Sequence, residues 1–285
     1  MKQGTSSALA LLAALAIPLA AGAQLGFSPD ITAELGAGPS ALLADEDVAI
    51  DDGVGGVKGP LLGAGLGLIP APAEIGAWHG LPGGDSYLSL DITVALPGLP
   101  APAEPRDVVE FDRASGTFSL VFDGSAAGVP SSVRVDAVSQ DLNGELLLSF
   151  DTTVALAGGV VADDEDLVRY DGVVYAMVFD GSAAGVASST DLDGVHDIVT
   201  GPLLLMSFDT SGSVGGVVYD DEDVLEYDTA TGIFTMFLDA SATDPVDWPS
   251  ADLAALPEAG AAGAVAGGWL VAGLAVWARR GRRRR

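Results

Sequence analysis

Leu146-Leu147-Leu148-Ser149-Phe150-Asp151 returns as Leu204-Leu205-Met206-Ser207-Phe208-Asp209. It appears earlier as Tyr87-Leu88-Ser89-Leu90-Asp91 and, in worn form, as Phe27-Ser28-Pro29-Asp30. The closing aspartates recur at roughly 60-residue intervals, and a period of that size is the mark of a repeat architecture. An acidic segment follows each copy: Asp45-Glu46-Asp47, Asp163-Asp164-Glu165-Asp166 and Asp220-Asp221-Glu222-Asp223. The second copy keeps only Glu104 and Asp107, with Pro105 and Arg106 between them.

Within a copy, four short runs rich in Val, Leu, Phe and Tyr are separated by Gly, Asn, Asp and Ser, as in antiparallel strands. In the third copy they are 133–138, 145–151, 166–171 and 174–180; in the fourth, 195–199, 203–209, 223–228 and 233–239. Asn143-Gly144 marks a tight hairpin between the first two runs. Thr152 to Ala162 and Gly181 to Gly194 read as surface loops, and Gly53 to Leu68 has lost the pattern and reads as loop.

The expected fold is all-β: four ~60-residue repeats in a small four-bladed, propeller-like ring, with a β-sandwich or an open repeat array as the alternative. The copies span about 24–70, 71–130, 131–190 and 191–256. The first copy lacks its first strand. Ala251 to Leu256 aligns with Val135 to Val138 and is expected to supply that strand from the C-terminal end, covering a sticky edge.

The two ends read as addresses. Lys2, the apolar run Ala8 to Leu19 and Ala21-Gly22-Ala23 form a secretory signal over 1–23, cut between Ala23 and Gln24. Residues 260–278 are apolar and just long enough to span ~30 Å of hydrocarbon as a transmembrane helix. The Arg279–Arg285 tail should stay cytoplasmic, leaving the body, 24–256, outside. Pro257-Glu258, one span and an Arg-rich end resemble the PEP-CTERM sorting signal of Gram-negative bacteria, with Ala259 where that family has a second proline. The resemblance covers 257–285 and implies handling by an exosortase-like enzyme, with transient or lasting anchorage in the membrane. The body resembles exported bacterial proteins with LLLSFD- and DEDV-type repeats, which imply no particular activity.

All 40 acids lie between Asp30 and Glu258, where the only bases are Lys58, Arg106, Arg113, Arg134 and Arg169. Such a body repels nucleic acid and fits cations or basic proteins. With no cysteine, thiolate catalysis and disulfides are excluded.

Oxygen-rich segments beside glycine turns suit calcium. That makes Asp163, Asp164, Asp166, Asp220, Asp221 and Asp223 candidate ligands, and Ca²⁺ the one cofactor to consider. No complete calcium-loop frame is present. The plainer reading is a solvated strand entrance whose last aspartate caps a turn. Asp112, Asp171, Asp228, Asp123, Asp180 and Asp239 also recur, which points to turn-making rather than catalysis.

Gly124-Ser125-Ala126-Ala127-Gly128 and Gly181-Ser182-Ala183-Ala184-Gly185 do not fit a nucleophile elbow. His79 and His196 fall at non-equivalent places in their copies and read as ordinary polar residues. The chain is therefore expected to be a non-enzymatic surface or matrix protein. A carbohydrate- or calcium-binding envelope module, with Trp78, Trp248 and Tyr219 as the aromatics for a matrix polysaccharide, is the second reading. A hydrolase with carboxylates in a central channel is the third. Its mark would be one non-repeated carboxylate cluster with raised pKa values.

Overall fold

The computed structural model describes residues 25–29, 33–34, 42–43, 47–51, 57–63, 67–81, 84–198, 201–243 and 253–255. The signal with Ala23 and Gln24, the span 260–278, Pro257, Glu258 and Trp248 lie outside the described residues. Among the described residues no helix is long and apolar enough to cross a membrane.

The chain begins with β1 (Leu25–Pro29), a short hairpin of β2 (Ala33–Glu34) and β3 (Leu42–Leu43), then β4 (Val48–Asp51) and β5 (Val57–Leu62). The second copy holds β6 (Ile75–Gly80), β7 (Ser86–Leu90), β8 (Val108–Asp112) and β9 (Thr117–Phe122). The third holds β10 (Val135–Gln140), β11 (Leu146–Phe150), the hairpin β12 (Val154–Ala155) and β13 (Val161–Ala162), β14 (Leu167–Tyr170), β15 (Tyr175–Phe179) and the single turn α1 (Gly181–Ala184). The fourth holds β16 (Gly194–Ile198), β17 (Leu203–Ser207), the hairpin β18 (Gly212–Val214) and β19 (Val217–Tyr219), β20 (Val224–Asp228), β21 (Ile233–Leu238) and the turn α2 (Ala240–Thr243). Last comes β22 (Leu253–Ala255).

Each copy makes one four-stranded antiparallel sheet. The orders are β22-β1-β4-β5, β6-β7-β8-β9, β10-β11-β14-β15 and β16-β17-β20-β21. This is the strand plan of a propeller-like fold. The first strands of the sheets pack on one another: β6 on β10, β10 on β16, and β22 on β6, β10 and β16. The first sheet is completed by β22, with Ser28 opposite Ala255 and Pro29 opposite Leu253. The expected loan of a strand from the C-terminal end is thus observed.

The sheets face one another across three apolar seams. Val48, Leu62, Ile75 and Trp78 pack with Leu88, Val109, Phe111 and Phe118. Ala77, Val108 and Phe122 pack with Val138, Leu148, Phe150 and Tyr175. Leu147, Leu167 and Phe179 pack with Val195, Met206, Phe208, Leu225 and Phe234. Second strands such as β7 and β11 are buried at every residue because they have a sheet on both sides. Outer strands such as β9 are mostly exposed, buried only at Phe118 and Phe122. Burial on both faces near the axis explains why the sequence alternates only roughly.

Two expectations need correction. Thr152 to Ala162 is not plain loop, since it carries the β12–β13 ribbon, with Val154 opposite Ala162. Gly53 to Leu68 contains β5, which pairs with β4 despite Gly59 and Pro60. Pro is tolerated there because β5 is an edge strand.

Candidate functional site

The recurrent aspartates are occupied by main-chain amides. Asp112 Oδ1 accepts from Ala114 and Ser115, Asp171 Oδ1 from Val173 and Val174, and Asp228 Oδ1 from Ala230 and Thr231. These bonds hold all three carboxyls below the usual range. Asp123, Asp180 and Asp239 cap the next turn by accepting from Ala126, Ala183 and Ala242. The hydroxyls of Ser125, Ser182 and Ser241 donate to these same aspartates. Those serines are capping groups, with no histidine beside them to make them nucleophiles.

The aspartate that closes each leading motif ties the second strand to the start of the first. Asp91, Asp151 and Asp209 accept from the amides of Glu74, Arg134 and Asp191 at 2.6, 2.8 and 2.7 Å.

The last acid of each acidic segment is a clasp. Asp166 accepts from the amides of Asp163 and Gly181, Asp223 from those of Asp220 and Ala240, and Asp107 from those of Glu104 and Gly124. One side chain thereby joins the entrance of the third strand to the exit of the fourth. Of the other candidate calcium ligands, Asp163 accepts from Thr153 Oγ1. Asp164 and Asp221 accept hydrogen bonds from the side chains of Glu165 and Glu222, which are buried and pushed up to about 7, chiefly by desolvation. Among the described residues no group of three or more such side chains is placed to hold a metal.

The clasp gives a direct prediction. Asp166→Ala leaves two amides without their acceptor and should cost about 2–6 kcal/mol, at ~1–3 kcal/mol for each buried unsatisfied group. Asp166→Asn keeps one acceptor and should cost about half as much, which urea melts of the two variants would check.

The non-repeating polar residues collect along the first strands. His79 lies opposite Tyr87, Ser139 opposite Leu147 and His196 opposite Leu205. Those partners hold one and the same place, two residues before Ser89, Ser149 and Ser207. His79, Ser139 and His196 are therefore equivalent, which corrects the sequence reading. The fourth copy has one more residue between the paired positions, His196 to Leu205 against Ser139 to Leu147, and this hid the match.

The imidazoles of His79 and His196 stack with centroids 5.7 Å apart at 27°. Ser139 Oγ is 3.4 Å from His79 Nδ1 and accepts from the Asp197 amide at 3.2 Å. At 5% and 7% exposure, desolvation lowers His79 to about 3, with His196 adding to the effect, and His196 to about 4. Both are neutral at physiological pH.

At the other end of the first strands, Arg134 sits among carboxylates. Its Nε is 3.3 Å from Asp136 Oδ1 and 3.5 Å from Asp151 Oδ2. Asp136 is 4% exposed. Burial pushes it up to about 6 against the pull of Arg134, and Asp191 donates to it. Asp191 is pushed up to about 8 by burial, then by Asp136, Asp209 and Asp164. Asp191 is thus the donor and Asp136 the acceptor of the proton shared between them. Sequence reasoning missed this pair because its members come from different copies. Trp78 and Tyr219, proposed for sugar stacking, are core residues instead.

No known family model and no curated protein sequence matches the chain. Among solved structures it is similar to YCF48 bound to D1 peptide, at 6% identity over 74% of this chain and 57% of that one, TM-score 0.33. It is also similar to virginiamycin B lyase from Staphylococcus aureus, at 9% identity over 75% and 72%, TM-score 0.31. A third is the extracellular domain of a hybrid two-component system from B. thetaiotaomicron, at 11% identity over 72% of this chain and 22% of that one, TM-score 0.32. The architecture described above rests on strand pairing and not on these likenesses.

Proposed function

We propose that this chain is an exported, non-catalytic binding platform of the cell envelope or matrix, built as a closed four-bladed ring. In this reading residues 1–23 direct export. Residues 257–285 anchor the chain and pass it to an exosortase-like enzyme at Pro257-Glu258, and the body meets basic partners. The observation that carries it is the fate of the recurrent aspartates: they are fixed by backbone amides, and those at the outer strand ends stand charged toward solvent. Fixed, outward carboxylates with few bases nearby make a surface that selects cations.

The test uses the full-length chain and its Asp112→Asn/Asp123→Asn/Asp171→Asn/Asp180→Asn variant, in which asparagine keeps the capping acceptor and loses the charge. The parent should capture basic envelope proteins in a salt-sensitive way and the variant should capture several-fold less, as screened charge contacts require. Equal capture by the two would sink the reading.

A second reading is favoured by the Asp136–Asp191 proton pair, a non-repeated carboxylate cluster among the described residues, which is placed beside Arg134 as an acid–base pair would be. Loss of hydrolysis of a glycoside panel on Asp191→Asn would support it; no hydrolysis by the parent would remove it.

A further inference from the structure

The sheets present the same end to one side of the fold. Gln140, Leu146, Tyr170 and Tyr175 lie opposite one another in turn and form the last row of the third sheet. Ile198, Leu203, Asp228 and Ile233 form the matching row of the fourth. Leu25, Asp51 and Val57 form that of the first. Beyond the rows of the third and fourth sheets stand the hairpin tips between first and second strands and between third and fourth strands. The sheets are in step, since Ser139 Oγ lies 3.4 Å from His79 Nδ1 and accepts from the Asp197 amide. The first sheet has the same sense: Ser28 Oγ donates to Asp47 O as Ser149 Oγ donates to Asp166 O.

Exposed apolar side chains collect at this end. Leu142, between β10 and β11, is 72% exposed; Val173 and Val174, between β14 and β15, are 75% and 46% exposed; Ile233, at the start of β21, is 58% exposed. Arg113 is exposed at the tip of the second sheet. The aspartates of this end, Asp85, Asp112, Asp141, Asp171 and Asp228, each accept from a main-chain amide. The acidic segments before β14 and β20 lie at the other end, with Asp151 and Asp209.

The chain also leaves the body at the apolar end. In β22, Leu253 lies opposite Pro29 and Ala255 opposite Ser28, so the strand heads toward Leu25. Leu25 is three residues beyond Ser28, about 10 Å at ~3.3 Å per residue. The proposed span begins at Gly260, five residues after Ala255, a reach of at most about 18 Å at ~3.6 Å per residue. The span therefore starts within about 8 Å of the end of the sheet, no farther than the ~5–8 Å that headgroups add to each side of the hydrocarbon.

We infer that this end is a membrane-docking face: with residues 260–278 in the bilayer, Leu142, Val173, Val174 and Ile233 dip into the interface of a zwitterionic lipid surface. Apolar side chains settle about 5–10 Å into the boundary of headgroups and acyl chains. Lipid ammonium groups meet the fixed aspartates, and lipid phosphates meet Arg113. An anionic surface is disfavoured because the body is strongly acidic. The same orientation turns the acidic segments away from lipid, toward basic partners. The inference rests on the anchorage proposed above and adds which face meets the membrane.

The chain has no cysteine, so Leu142→Cys, Val173→Cys and Thr152→Cys variants of the full-length chain each carry a single environment-sensitive fluorophore. Thr152 is exposed at the acidic end and serves as the reference. The probe is a vesicle of phosphatidylethanolamine and phosphatidylcholine with a fraction of nitroxide-labelled lipid. Labels at positions 142 and 173 should be blue-shifted and quenched several-fold more than the label at position 152. Adding Leu142→Asp and Ile233→Asp to the Val173→Cys chain should cut its quenching several-fold, while the chain still floats with the vesicles because the span holds it.

Equal quenching at the three positions, or undiminished quenching in the double aspartate variant, with flotation retained, would overturn this inference and leave the anchorage standing. A full-length chain that does not float with the vesicles would overturn both.

Discussion

Thermal unfolding followed across pH should give the highest Tm near pH 4 to 5, and a Tm about 5–10 °C lower at pH 8.5, at ~2–4 °C per kcal/mol for a chain of this size. Two sets of buried groups set the profile. Glu165 and Glu222 are raised to about 7, Asp136 to about 6 and Asp191 to about 8. Below about pH 4 the folded and unfolded chains both hold these protons, and the stabilising contribution is complete. As pH climbs, the unfolded chain releases them first, and the contribution is gone once pH has passed 6 to 8. The histidines act in the opposite sense. Their folded values lie below 6.5, so their contribution is complete above pH 6.5 and is lost as pH falls toward 4.

Between pH 4 and 6.5 the two sets partly cancel, and above pH 6.5 only the carboxyl loss remains, so the decline should continue past neutrality and level off above about pH 8.5. Asp191→Asn replaces the shared proton with an amide donor and should recover part of the loss at pH 8.5 while changing little at pH 5. His196→Leu should lift the acid side alone. A Tm that stays level from pH 5 to 8.5 would show that these carboxyls are not buried as described.

Deletion of residues 250–256 from the full-length chain should have the larger structural effect. It removes β22, leaving β1 with an open edge and stripping β6, β10 and β16 of the strand packed among them. Repeats of this kind share their stability through neighbour interfaces, so the loss should spread through all four sheets. The expected result is a Tm at least about 10 °C lower, a loss of several kcal/mol on the same scale, together with aggregation at the exposed edge. Replacing 250–256 by a Gly/Ser segment of equal length separates lost pairing from lost length. An unchanged transition in either variant would mean that the ring does not depend on its closing strand.

How much was legible beforehand follows from where the information sits. The strands of the third and fourth copies lie within about two residues of their expected bounds, and the third strands, which run into Asp171 and Asp228, carry an aspartate that makes its turn locally. Asp171, with Val173 and Val174, is such a self-contained signal. The β12–β13 ribbon was hidden because its two-residue strands give no periodicity, and β5 because Gly59 and Pro60 read as breakers in an edge that tolerates them. The acidic segments misled in part. A run of charge looks solvated, yet Glu165 and Glu222 are buried, and burial raises both to about 7. In the second copy Arg106 takes the same slot, pairing with Glu104 and donating to Val129 O at 2.7 Å. The Asp136–Asp191 pair and the His79–His196 stack both join residues of different copies, and nothing within one copy announces them.

The closing strand also has a mechanical meaning. β22 ends at Ala255, two residues before Pro257. Any tension on the C-terminal segment therefore reaches the body through three residues paired with β1, before it reaches any other part of the sheets. A pull there is applied near the axis, to the strand whose departure opens the first sheet. On the anchorage proposed above, the segment that follows is both tether and ripcord. A steady load favours release of the closing strand, and cutting the chain beyond Ala255 removes that load while leaving β22 in place.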